Sequence, residues 1–203
     1  MNKPLIGITC RTIKSDDRDI LKVNKSIVDY VIKSGGTPLL ILSDMDFSVF
    51  SGFIFPGGSS WEELDEKILK YAYINDIPAL GICAGMQLIA SMDKFGNVLD
   101  NCIAIGNSKH QSKDEYVHEI TINKGILFDI LGSKKIIVNS RHNDTVNLND
   151  NFLIDAKSRD DKIIEAIHIP NKTFILGLQW HPEDLSDEYS KKIFQYFIEK
   201  CKK

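Results

Sequence analysis

The chain has 203 residues, 43% of them hydrophobic and 26% charged, enough for one substantial core and short for two. Its formal net charge of −3 gives no electrostatic pull toward nucleic acid or an anionic membrane. No apolar run approaches the roughly 20 residues that span a bilayer, and the stretch from Met1 to Thr9 is too short for a signal-peptide core.

A cytoplasmic protein with reduced cysteines is therefore expected. The four cysteines are Cys10, Cys83, Cys102 and Cys201; none forms a CxxC pair, and no Cys/His spacing resembles a zinc site. No metal and no organic cofactor are expected.

In chain order, Leu5-Ile6-Gly7-Ile8 reads as a buried first strand. The charged run Asp16, Asp17, Arg18 and Asp19 reads as a solvated loop. Ile27, Val28, Val31 and Ile32 then recur at helical spacing, and Gly35-Gly36 closes that helix as a left-handed cap would. Strands are predicted over 38–42 and 53–55. Ser60 with Glu63 reads as a capping box, opening a helix that buries Trp61, Leu64, Ile68 and Tyr71. Another strand over 79–82 runs directly into Cys83, with a short helix over 86–90 behind it.

After about residue 100 the texture changes. Segments 117–122, 135–138, 152–156, 163–167 and 174–178 read as strands whose connections are too short for helical crossovers, so several should pair antiparallel. A final helix is marked by Ile193, Phe194, Phe197, Ile198 and Cys201. There is no internal repeat and no Pro/Gly/Ser-rich linker, so residues 1–203 are read as a single domain. The fold class is α/β: a mostly parallel central sheet with helices on both faces, and a smaller mixed β region added in the second half.

Two motifs carry chemistry. Gly81-Ile82-Cys83-Ala84-Gly85 is a G-x-C-x-G turn between a strand and a helix, the pattern of a nucleophile elbow. The glycines leave room for a sharp bend that lifts the central side chain above the sheet, and the helix N-terminus behind it favours a thiolate. As a lone motif it competes evenly with a buried structural cysteine. Gly177-Leu178-Gln179-Trp180-His181-Pro182-Glu183 supplies the missing parts. A thiol needs a base, and the base needs an acceptor that fixes its tautomer. In extended backbone His181 and Glu183, two apart, would face the same way.

These motifs, together with Pro4-Leu5-Ile6-Gly7-Ile8-Thr9, Gly35-Gly36-Thr37-Pro38, Phe55-Pro56-Gly57-Gly58, Val138-Asn139-Ser140-Arg141-His142 and Ile164-Glu165-Ala166, resemble the class I glutamine amidotransferase superfamily. Within it the chain looks most like the γ-glutamyl-γ-aminobutyrate hydrolase branch, and the likeness runs essentially end to end. The resemblance implies a flavodoxin-like α/β fold of the class I amidotransferase type. It makes Cys83 the nucleophile, His181 the acid/base and Glu183 its orienting carboxylate. It places the backbone N–H groups of Gly57, Gly58 and Ala84 around the developing oxyanion. Gln87 matches a position that holds the glutamyl group, and Asn139, Ser140, Arg141 and His142 match a loop beside that pocket.

The chain departs from the branch in having Ala84 where Arg usually follows the nucleophile, Asn143-Asp144 where His-Gln is usual, and a shorter segment between Gly58 and Pro78. These positions shape the leaving-group side. The expected activity is hydrolysis of a γ-glutamyl amide through a cysteine thioester, with a small-molecule γ-glutamyl substrate and no nucleic acid or membrane partner. A homodimer is compatible with this reading. A first alternative is a glutaminase subunit delivering ammonia to a separate synthetase; a second is a catalytically silent binding protein of the same fold. The remaining residues take plainer readings. His110, Gln111 and His118 read as exposed loop or strand residues, Trp61 and Trp180 as packing, and Cys10 as structural.

Overall fold

The computed structural model describes residues 3–99, 101–105, 108–147 and 149–202, so Met1, Asn2 and Lys203 of the two termini lie outside the described residues. In chain order the elements are β1 (Leu5–Thr9), β2 (Arg11–Ser15), β3 (Arg18–Lys22), α1 (Lys25–Lys33), β4 (Thr37–Ile41) and β5 (Gly52–Phe55). They continue with α2 (Glu63–Ile74), β6 (Ala79–Ile82), α3 (Ala84–Ala90), β7 (Cys102–Ala104), β8 (His118–Ile122) and α4 (Ile126–Leu131). The last are β9 (Lys135–Val138), β10 (Asp144–Val146), β11 (Leu153–Ser158), β12 (Ile164–His168), β13 (Ile175–Leu178) and α5 (Glu188–Lys200).

A nine-stranded sheet runs β4-β1-β5-β6-β13-β12-β11-β8-β9. The first five strands are mutually parallel, and the rest pair antiparallel. The β-rich half is thus continuous with the central sheet rather than appended to it. The reason is β13, which pairs parallel with β6 on one side and antiparallel with β12 on the other.

Period-two alternation assigns the two faces. Ile6, Ile8, Ile54, Leu80 and Ile82 point into one core cluster with Ile27, Val31, Phe194 and Phe197 of α1 and α5. Phe53 and Phe55 point the other way, onto Ile68, Leu69, Met86 and Ile89 of α2 and α3. Helices therefore cover both faces. Among the described residues no helix is long and apolar enough to cross a membrane.

Several local expectations shift. Gly35 does take the left-handed conformation, at φ 94°, but Ile32 is 51% exposed, so the buried stripe of α1 is Ile27 and Val31. The box that starts α2 is Glu62 with Asp65, not Ser60 with Glu63. Asp65 gains there because its carboxylate accepts from the Glu62 N–H at 2.7 Å and also takes a buried arginine. Of that helix's expected core, Ile68 is buried, while Trp61, Leu64 and Tyr71 are half-buried.

The charged loop is in fact the tip and one strand of a β2–β3 hairpin. Asp16 and Asp17 carry positive φ (48° and 62°), the geometry of a tight hairpin turn, which Asp tolerates through its short polar side chain. A second small sheet pairs β10 with β7.

Phe194 is fully buried and stacks on Tyr30 with centroids 4.5 Å apart, tying α5 to α1. Phe194→Ala is expected to cost about 3–5 kcal/mol of folding stability, read as a fall in the urea-denaturation midpoint.

Candidate active site

The carboxyl ends of β1, β5, β6 and β13 lie along one edge of the sheet, and the order in which strands are added reverses at β1, with β4 on one side of it and β5 on the other. That is where open parallel sheets bind ligands. The segments leaving these strands are Cys10-Arg11, Pro56-Gly57-Gly58, Cys83 and Gln179-Trp180-His181.

Cys83 sits between β6 and α3 at φ 52° and ψ −108°, a backbone conformation that side chains rarely adopt. Its N–H donates to the Leu178 carbonyl at 2.8 Å, so the turn is tied to β13. The two glycines of the motif have separate jobs. A methyl on Gly81 would overlap the Gly85 carbonyl oxygen, and a methyl on Gly85 would overlap the Phe55 carbonyl. The bend packs backbone on backbone, and no side chain fits.

His181 is buried, and its Nδ1 lies 2.8 Å from Glu183 Oε1. A carboxylate only accepts, so Nδ1 carries the proton and Nε2 is left for the sulfur. Glu183 reaches the ring differently from the extended arrangement expected. Pro182–Asp184 forms a 3-10 turn with proline at its start, which folds the carboxylate back under the imidazole. Burial disfavours the charged imidazolium, but Glu183 and then the Cys83 sulfur outweigh it and raise the His181 pKa to about 10. Both neighbours thus favour the imidazolium form.

Gly57 lines the gap between the two groups. A methyl there would stand 2.6 Å from His181 Cε1 and 3.2 Å from Cys83 Cβ. Gly57, Gly58, Cys83, His181 and Arg141 all line one cavity of about 610 Å³, whose outer wall includes Ile13 and Lys22 of the hairpin. Ala84 is the first residue of α3, so its N–H has no helical carbonyl to bond.

Of the loop residues expected to touch substrate, Arg141 lines the cavity and pairs with Asp184. Asn139 is buried and clamps the base instead: its Nδ2 donates to the His181 carbonyl at 2.7 Å and its Oδ1 accepts the His181 N–H at 2.8 Å. Ser140 donates to the His110 carbonyl at 3.0 Å, and His142 faces the Asp144 carbonyl at 2.9 Å; both are buried. Gln87 is buried and contacts Gln179 Oε1 at 3.3 Å and the Asp144 carbonyl at 3.4 Å. These four side chains are committed to protein partners behind the cavity wall.

Sequence reading missed Arg11 and Asp65. Arg11 is buried, with Nη1 2.9 and 2.7 Å from the two Asp65 oxygens and Nη2 donating to the Pro56 carbonyl at 2.6 Å. The pair thereby fixes the orientation of the Pro56-Gly57-Gly58 turn. No local pattern links residues so far apart in the chain. His110 and His118, expected exposed, are buried and half-buried. Trp180 is buried as expected, and Trp61 donates to Glu66 Oε1 at 2.9 Å.

Gly57→Ala is expected to cut turnover by about 100-fold while the melting temperature moves little, because the new methyl intrudes between thiol and imidazole. Glu183→Gln removes the charge that raises the His181 pKa. The imidazolium should then be lost at lower pH, so the falling limb of the kcat/KM profile should move down from about pH 10 toward neutrality. The stabilisation that the imidazolium gives the fold runs in the same direction: fully present below the ordinary histidine pKa, fading as pH rises through the raised one.

Comparison with known proteins places this geometry. The family model described as Peptidase C26 matches residues 58–183. The chain is 32% identical over 180 residues to a glutamine-hydrolysing GMP synthase subunit of Picrophilus torridus, covering 87% of each chain. It is 26% identical to a CTP synthase of Borreliella burgdorferi, covering 98% of this chain and 45% of that enzyme. Among solved structures, PurLQS from Thermotoga maritima superposes with a TM-score of 0.73 at 18% identity, covering 99% of this chain and 100% of that one.

Proposed function

The chain belongs to the Peptidase C26 family, and on that premise we propose that it hydrolyses a γ-glutamyl amide bond through a cysteine thioester, releasing glutamate and an amine. The observation that carries this reading is the convergence of Cys83 and His181 at Gly57, where a single methyl would press on both, with Glu183 Oε1 2.8 Å from the imidazole Nδ1.

In this reading Cys83 attacks the γ-carbonyl carbon as a thiolate, and the carbonyl oxygen takes up the negative charge. The amides of Gly57, Gly58 and Ala84 receive that oxyanion; one such donor is typically worth about 3 kcal/mol. As the C–N bond breaks, His181 passes its proton to the departing nitrogen, leaving a glutamyl thioester on Cys83 and a neutral imidazole. Water then adds to the thioester carbonyl while His181 takes its proton. The C–S bond breaks, glutamate leaves, and the thiolate–imidazolium pair is restored. Glu183 holds the ring's tautomer and balances its charge throughout. No metal and no organic cofactor enters these steps.

In this reading Arg141, which lines the cavity, is the loop residue that meets substrate. Asn139, Ser140, His142 and Gln87 act by holding the wall and the base. The same reading takes residues 1–203 as one catalytic unit in the cytoplasm. The cavity of about 610 Å³ has room for a γ-glutamyl group together with an amine of some size, as in the γ-glutamyl-γ-aminobutyrate hydrolase branch.

A second reading, a glutaminase that hands ammonia to a separate synthetase, is favoured by the likeness to the GMP synthase subunit over 87% of both chains. Assaying the purified chain alone on γ-glutamyl amines and on glutamine separates the two. The hydrolase reading expects strong turnover of γ-glutamyl amines by the isolated chain, reduced by at least about 10⁴-fold in Cys83→Ala with unchanged circular dichroism. Turnover of glutamine that appears only on adding a synthetase would replace it with the second reading. Activity surviving in Cys83→Ala would end both.

A further inference from the structure

Three of the five histidines, His110, His118 and His142, converge on Glu165 of β12, away from the thiol. The His110 ring lies 4.8 Å, centroid to centroid, from each of the other two. Glu165 is fully buried, and its Oε1 is 2.9 Å from His118 Nε2, 3.5 Å from His110 Nδ1 and 3.7 Å from His142 Nε2. Despite this closeness, neither Glu165 oxygen, nor His118 Nε2, nor His142 Nε2 has a hydrogen-bond partner in acceptable geometry. Buried polar atoms left in that condition are costly.

Outer contacts show which way the rings face. His142 Nδ1 lies 2.9 Å from the Asp144 carbonyl, which only accepts, so Nδ1 carries the proton and Nε2 turns a lone pair toward the carboxylate. His110 Nε2 lies 2.8 Å from Asp161 Oδ2, so its proton points outward and Nδ1 faces in. Its Nδ1 also lies 3.2 Å from the Ser140 hydroxyl oxygen, whose own proton goes to the His110 carbonyl. The lone pairs of Glu165 and of His142 Nε2 thus face one small volume that the inward nitrogens of His110 and His118 also border. That arrangement calls for a cation at its centre.

The spacing fits one. A tetrahedral ion with bonds of about 2.0–2.1 Å separates its ligand atoms by about 3.3 Å, and the distances of 2.9 and 3.5 Å from Glu165 Oε1 to His118 Nε2 and His110 Nδ1 bracket that value. The inward atoms of His110, His118 and Glu165 all lie within 4.8 Å of one another. The Asp161 carboxylate behind His110 supplies the outer hydrogen bond that metal-bound imidazoles generally have, and Ser158 holds Asp161 in turn. A cavity of about 320 Å³, lined by His110, His118, Ser158 and Asp161, gives an ion access.

We propose that His110, His118 and Glu165 bind a divalent transition-metal ion, zinc by their nitrogen and oxygen donors, with a fourth position open to the cavity and His142 flanking it. Its role is structural. Ser140 and His142 belong to the same loop as Asn139, so an ion here pins the segment that clamps His181.

The experiment incubates purified full-length chain with excess zinc or cobalt(II), desalts it, and measures metal per protein by mass spectrometry, with visible d–d absorption for the cobalt form. The expected result is close to one equivalent in wild type and in Cys83→Ala, and loss of most of it in His118→Ala and Glu165→Gln. If those variants fail to fold, Asp161→Asn is the second reading. It lies outside the ligand set and should weaken retention by about 10–100-fold. Wild type that keeps no metal after loading overturns the proposal. So does metal that disappears in Cys83→Ala, which would place it at the thiol, or metal unaffected by all three cluster substitutions. None of these outcomes depends on whether the chain turns over a γ-glutamyl substrate.

Discussion

Cys83 is held where its backbone does not want to be. A residue with a side chain at φ 52° and ψ −108° costs on the order of 1–3 kcal/mol, and the surroundings must over-determine that conformation for it to persist. They do so from three directions. β6 is locked between β5 and β13, the Cys83 N–H is tied to Leu178, and Gly85 is pressed against the Phe55 carbonyl so closely that the helix cannot slide. The apolar layers on both faces of the sheet stabilise these strands, and the strain at the sulfur draws on that burial. In this sense the core and the Cys83 turn are one construction.

The groups around the sulfur are fastened by a few buried polar pairs rather than by packing alone. Arg11 and Asp65 hold the Pro56 carbonyl from one side, and Asn139 grips the backbone of His181 from the other. Such pairs add little to net stability once desolvation is counted. What they add is direction. A carbonyl or an imidazole that could rotate within an apolar shell is given one orientation, and that is the property a reacting centre needs.

Legibility in the sequence followed the range of each interaction. The turn at Cys83 was readable because its requirements are local: glycines two residues either side, an apolar strand before and a helix after. The parallel strands β1, β5 and β6 were readable for the same reason, since burial on both faces leaves continuous apolar runs such as those at Ile54 and Ile82. The β2–β3 hairpin was not, because Arg18 and Asp19 form a strand by backbone pairing alone, with no buried face to impose alternation. The Arg11–Asp65 pair and the Asn139 clamp are contacts between distant segments, and no local pattern encodes them. His110 and His118 looked like surface residues because nothing near them in the chain announces Glu165.

The antiparallel strands bear on the site through one loop. It leaves β9 and carries Asn139, Ser140 and His142 in close succession. Asn139 turns toward His181, whereas Ser140 bonds His110 and His142 turns toward Glu165. Neighbouring residues of an extended segment point to opposite sides, so this loop serves two polar centres at once. Neither half can shift without moving the other. His181 is therefore positioned partly through the loop that also serves this cluster, and the strands β12, β11, β8 and β9 give the cluster a rigid floor.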